Sequence, residues 1–233
     1  MLIEAIVQNE EEAIQAQNLG VDRLELVSAI SEGGLTPSYG TIKRVLQSVS
    51  IPVQVMIRPH SHHFVYNKSD LRIMREDVQN VLDLGGVGIV TGILNEDHTI
   101  NEKALEDLLG LSPNLDVTFH RAFDSVPSQK DAYGTLAKYR KQVKRILTSG
   151  GESDCVAGMM MLSELVELAR ETGGPNILPG AGLSPSNIGM IHQRVNANQY
   201  HFGKAIRIKQ SFAYGFDEQA LHEIKRQLRN DTI

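Results

Sequence analysis

Apolar positions along the chain follow two alternating rhythms. Short runs rich in aliphatic and β-branched residues recur about every thirty residues. They are "LIEAIV", "DRLELV", "IPVQVMI", "VGIVTG", "LDVTFH", "KRILTS", "NILPGA" and "QYHFGKA". After each comes a stretch of helical character. In "NEEEAIQAQNLG", Asn9 stands as an N-cap with Glu12 at N3, the spacing of a capping box. Ala13, Ala16 and Leu19 make the apolar stripe, and Gly20 is the stop. Thr36-Pro37 and Ser184-Pro185 predict two further helix starts, a cap followed by proline in the first turn. Leu71, Met74, Val78, Val81 and Leu82 predict another helix, ended by Gly85, and Leu221, Ile224 and Leu228 mark the last one. Met159 to Leu162, "MMML", reads as helix core.

Eight such units predict an α/β chain folded as one (β/α)₈ TIM-type barrel, a single domain over 1–233. The strands are continuous apolar runs, as expected when both faces are covered. An open doubly wound sheet would more often carry a glycine fingerprint after its first strand, and "IVQNEEEA" has none.

Composition narrows the function classes. The chain has 233 residues, 41% of them hydrophobic, enough for a sizeable core. Net charge is −5 with no basic block, which argues against nucleic acid as a partner. The start, "MLIEAIVQNEEEA", has neither a basic leader nor a signal core, and no apolar run approaches the roughly 18 residues of a membrane span. Cys155 is the only cysteine, so no internal disulfide forms. The simplest expectation from these features is a soluble cytoplasmic protein.

Chemistry in a barrel of this type sits at the carboxyl ends of the strands. Those ends carry Glu4, slightly early, then Glu25, Arg58 with His60, and the group His120, Arg121 and Asp124. The parity of strand residues puts Arg23, Glu25 and Val27 inside the barrel, with Gln54, Met56 and Arg58, and Thr118 with His120. Arg121 points the other way unless the strand has ended. Glu4, Glu25, Arg58, His120, Arg121 and Asp124 are the candidate catalytic set, because acid, base and anion clamp occur together. The bland alternative is a structural ion pair, Glu25 with Arg23 or Arg58.

Gly180, Gly182, His201, Gly203 and Lys204, at the ends of the last two strands, are a candidate anion-binding set. Glycine turns there expose N–H groups, and the helix start at Ser184-Pro185 and the Lys204 charge add to them. The alternative is tight turns only. His60, His62 and His63 in "RPHSHHF" are candidate metal ligands, since imidazole suits copper(II), zinc or nickel. Surface loop histidines are the alternative. Cys155 reads as an inert loop or core thiol.

The segments "ELVSAISEGGLTPSYGTI", "VMIRPHSHHFVYN", "MREDV", "TFHRAFD", "RILTSGG" and "GAGLSPSN" occur in an order and spacing that resembles the CutC family of copper homeostasis proteins, from Glu4 to about Lys204. The resemblance implies a TIM barrel, a cytoplasmic place, copper binding or tolerance, and homo-oligomers. This chain departs from the family pattern at Val27, where many members have cysteine. It departs again at His60-Ser61-His62-His63, where members typically read "RGGD", and after His201, where a serine usually follows closely. With Cys155 alone, one chain cannot build a two-thiolate copper(I) site.

Three readings follow. The first is a cytoplasmic protein that binds or handles copper ions. The second is a barrel enzyme acting by acid–base chemistry on a small anionic carboxylate or phosphate metabolite. The third is a scaffold that binds a protein partner. No membrane or nucleic-acid role is expected.

Overall fold

In the computed structural model, which describes residues 1–229, each apolar run forms a strand and a helix follows each one. The strands are β1 Leu2–Val7, β2 Arg23–Leu26, β3 Val53–Met56, β4 Gly88–Thr91, β5 Asp116–Phe119, β6 Val143–Thr148, β7 Asn176–Pro179 and β8 Gln199–Phe202. The helices are α1 Glu10–Asn18, α2 Tyr39–Ser48, α3 Lys68–Asp83, α4 Glu102–Leu109, α5 Gln129–Ala137, α6 Met159–Thr172, α7 Ile188–Val195 and α8 Glu218–Arg229. The sheet order is β7-β6-β5-β4-β3-β2-β1-β8, with every neighbour parallel. The edge strands β7 and β8 then meet at a bridge between Gly180 and His201, which brings the sheet close to a closed barrel. A Cβ on Gly180 would stand 2.5 Å from Leu147 Cδ1 and 3.2 Å from His201 Cβ. Glycine is what lets these edges approach.

Strand parity sorts the core into two apolar clusters. Leu24, Leu26, Val55, Ile57, Ile89 and Phe119 point outward and pack under the helices with Ala13, Ala16, Val45, Met74, Val78 and Leu105. Each such fully buried side chain of leucine size contributes about 1.5–3 kcal/mol. Val27, Met56 and Val90 form a separate inner cluster, with Ile6 and Ile30 against it. Towards the amino ends of the strands, polar groups pair with one another. Arg145 bonds Asp116 at 2.6 Å and Thr118 Oγ1 at 3.0 Å, and Arg23 donates to Gln199 at 2.8 Å.

Local signals shift in places. Asn9 does cap α1, accepting from Glu12 N at 2.9 Å. The Glu12 carboxylate, however, accepts from Gln8 N and Arg207 instead of closing a box on Asn9. Helix α2 starts behind Ser38, because Thr36 is tied to the end of β3 through Arg58 N–H, which donates to Thr36 Oγ1 at 2.9 Å. Helix α7 starts at Ile188, not at Ser184-Pro185, since Asn187 Oδ1 takes the Ser184 N–H and forms a turn first. Of the "MMML" run, Leu162 is buried while Met160 is 70% exposed.

Candidate active site at the carboxyl ends of the strands

A cavity of about 380 Å³ opens at this end of the barrel, within the size range of small-molecule sites. Glu25, Arg58, His120, Arg121, Gly182, His201, Gly203 and Lys204 line it, together with apolar Ile6, Met56, Phe64 and Leu147.

A buried relay lies at its floor. Glu4 sits one layer deeper, fully buried and in register with Arg23 and His201. Its carboxylate accepts from Arg23 Nε and, at 2.8 Å, from His201 Nδ1. Burial alone would raise its pKa, but Arg23 and His201 outweigh that and hold it at about 2. His201 Nε2 faces Glu25 Oε2 at 3.7 Å. Burial pushes Glu25 up to about 7. The Glu4 charge pushes the same way, while His201 and Arg23 pull it back. His201 is itself raised: burial opposes its charged form, but Glu25 and Glu4 outweigh burial. The second Glu25 oxygen, Oε1, is buried with no partner among the described residues. The structural pairing anticipated for Glu25 is therefore not observed. Arg23 bonds Glu4 instead, because the parallel register places those two residues side by side.

His120 follows the last residue of β5. Its Nδ1 accepts the Ala122 N–H at 3.1 Å, so the ring hydrogen resides on Nε2, which is buried with no partner among the described residues. Burial, then the nearby Arg58 charge, lowers its pKa to about 3, so the ring is neutral at physiological pH. A Cβ on Gly92 would lie 2.4 Å from His120 Nδ1, and glycine there makes room for the ring. Arg58 donates to the carbonyls of Glu32, Gly34 and Ser61, all at 3.1 Å, and its guanidinium lies 5.1 Å from the Phe64 ring centre. It braces two loops and brings a positive charge with no carboxylate bonded to it among the described residues.

Strand parity would turn Arg121 away from the cavity, but β5 ends at Phe119 and a 3₁₀ turn, Arg121–Ser125, swings it back. Arg121 Nε donates to Asp124 at 2.7 Å and Nη2 to Ser149 Oγ at 2.8 Å. Asp124 also accepts from Thr148 Oγ1, from Ser149 N at 3.1 Å and from Gly151 N at 3.1 Å. It thus fastens the loop after β6 and orients Arg121, with no bond to His120.

Of the candidate anion set, Gly182, His201, Gly203 and Lys204 line the cavity, whereas Gly180 serves barrel closure. His60, His62 and His63 lie off the cavity, on the loop between β3 and α3. Their ring centres are 4.9–6.5 Å apart, and His60 Nε2 is 3.6 Å from Asp70. The described His and carboxylate groups whose donor atoms all come within 4.8 Å of one another are instead Glu4, Glu25 and His201. Cys155 is buried away from them, and burial pushes its thiol up to about 12.

The profile of the CutC family matches residues 1–206. This chain belongs to the CutC family. It is 41% identical over 187 residues to the "family protein CutC" of Enterobacter sp. (strain 638), covering 80% of this chain and 74% of that one. It is 38% identical over 200 residues to the "Copper homeostasis protein cutC homolog" of Homo sapiens, covering 86% and 72%. The solved CutC structure from Streptococcus agalactiae superposes with a TM-score of 0.80 at 33% identity, covering 87% of this chain and 98% of that one. Phosphoribosylanthranilate isomerase from Pyrococcus furiosus, at 13% identity and a TM-score of 0.63, shares the fold alone.

Sequence reasoning placed His201 with the anion loops and missed its bond to Glu4. The signal was present: Gln199 and His201 share the inward parity of β8, and Gly203 follows just past its end. Phe64 and Phe212, both on the cavity, lie in loops where no periodicity marks them.

Proposed function

We propose that this CutC-family chain is a cytoplasmic enzyme that moves a proton on a small organic anion. The observation that carries this is the Glu25–His201 pair at the cavity, 3.7 Å apart, with Glu25 Oε1 buried and without a partner among the described residues; burial pushes that carboxyl up to about 7. The pair can share one proton, as a neutral acid beside a neutral imidazole or as carboxylate beside imidazolium. Such a pair can take a proton from a substrate carbon or oxygen and return it. Glu4 is a positioning residue: it fixes the Nδ1–H tautomer of His201, so that Nε2 faces Glu25. His120 Nε2–H is a fixed neutral donor for an oxyanion developing on the substrate. Arg58, Arg121 and Lys204 supply positive potential. The reading predicts deuterium wash-in from solvent at the acidic carbon of a 2-oxo acid or a sugar phosphate, followed by NMR over a compound panel. Glu25→Gln abolishes wash-in, and His120→Ala slows it about a hundredfold to a thousandfold. A panel without any wash-in above buffer, or wash-in unchanged in Glu25→Gln, refutes the proposal.

A second reading takes copper as cargo, with the family's name behind it and the Glu4, Glu25 and His201 donors in one place. One imidazole and two carboxylates suit a divalent ion such as copper(II), not copper(I), which favours sulfur. Val27 stands where a family thiolate would, and Arg23 already holds Glu4. Copper(II) binding that falls in His201→Ala would support this reading, and uptake equal in that variant would refute it. Self-association, implied by the family resemblance, is part of both readings and is tested by sedimentation equilibrium.

A further inference from the structure

One wall of the cavity comes from a segment beyond the family match, which ends at residue 206. Arg207 anchors it. Its buried guanidinium donates to Ile6 O at 2.6 Å and Glu12 at 2.8 Å, and lies 3.8 Å over the Phe216 ring and 5.3 Å from that of Phe212. The chain then doubles back: Ile208 N–H donates to Gly215 O at 3.1 Å, and Arg207 bridges to Phe216. Lys209 and Gln210 adopt φ of 54° and 51°, left-handed values that non-glycine residues seldom take in succession. The result sets Gln210 and Phe212 on the cavity, with the Phe212 ring over Gly203.

The rest of the lining is lopsided in two ways. Arg121 is paired with Asp124, but Arg58 and Lys204 stand against the one lining carboxyl of Glu25, so the cavity favours a negative ligand. Much of the lining is apolar, Ile30, Phe64, Leu183 and Phe212 included, which a bare phosphate or a two-carbon acid would leave in contact with water.

We infer that the cavity takes an amphiphilic organic anion, a carboxylate or phosphate ester with an aromatic or branched aliphatic body, and that Phe212 on the Arg207-anchored loop selects that body. This rests on the proposed function only in using the same cavity. Calorimetric titration of the full chain with phenyl phosphate, inorganic phosphate, 3-phenylpropanoate and propanoate tests it and separates the two head groups. One aromatic ligand should bind about tenfold or more tighter than its bare counterpart. Phe212→Ala should erase that preference while leaving the bare anion unchanged, and Phe212→Leu, which keeps an apolar side chain, should retain most of it. Equal affinity for ring-bearing and bare anions, no binding of any of the four at millimolar concentration, or equal weakening of all in Phe212→Ala overturns the inference. Binding and wash-in measured side by side on the wild-type chain separate the two claims. Ring-selective binding without deuterium wash-in removes the enzyme reading alone. Wash-in without ring selectivity removes the inference alone.

Discussion

Replacing Glu25 by glutamine should make the protein more stable at pH 8 and change little at pH 4. In the folded chain this carboxyl titrates at about 7 instead of 4.5, because burial disfavours its charge. Below pH 4.5 it is protonated in both folded and unfolded chains and has no effect. As pH rises, the unfolded chain ionises first, and stability falls until the folded group also ionises near 7. At 1.36 kcal/mol for each tenfold, the loss amounts to about 3 kcal/mol above pH 7. His201 adds to the same slope. Its raised native pKa gives stability that is complete below its ordinary 6.5 and fades as pH rises through the native value. Urea unfolding from pH 4 to 9 measures this. The wild-type curve should drop relative to Glu25→Gln between pH 4.5 and 7, with the gap reaching about 3 kcal/mol by pH 8. Parallel curves across that range would refute the reasoning, since Glu25 would then titrate as an ordinary exposed carboxyl.

Glu4→Gln should destabilise by about 3–5 kcal/mol at pH 7, because Arg23 and His201 lose a buried anionic partner; chemical denaturation reads it. In the wild type, the Glu4 contribution is present above pH 4.5 and is lost as pH falls through about 2, so acid unfolding of the variant should lack that component. Gly180→Ala should cost about 1–3 kcal/mol by crowding Leu147 and His201 where β7 meets β8, seen as a lower urea midpoint. Cys155 should react with an aromatic disulfide reagent only on unfolding, and Cys155→Ala should leave copper(I) competition against a chelator unchanged, since its thiol is buried and pushed up to about 12.

The barrel was legible because each strand is a continuous apolar run followed by a helix-period stretch, a pattern that survives errors of two residues at any boundary. Strand parity correctly sorted Leu24 and Leu26 to the helices and Glu25 and Val27 to the interior. Pairing between strands was not legible. Arg23, Glu25 and Arg58 all carry inward positions, and only the register shows that Arg23 meets Glu4 while Arg58 braces loop carbonyls. Arg121 was ambiguous for a local reason: whether β5 continues past His120 depends on a 3₁₀ turn held by Asp124, whose partners come from β6 and the loop after it. His60, His62 and His63 are legible as a cluster because they are close in sequence, whereas Glu4, Glu25 and His201, whose donor atoms converge within 4.8 Å, span nearly the whole chain and only the fold brings them together.

The central claim is that Glu25 exchanges its proton near neutrality against His201 at the cavity floor. Carbon-13 NMR of side-chain-carboxyl-labelled glutamate, recorded across pH 3 to 9 on wild type and on Glu25→Gln, reads it directly. One carboxyl resonance should titrate at about 7 and vanish in the variant. A spectrum in which every glutamate titrates below pH 5 would contradict the account.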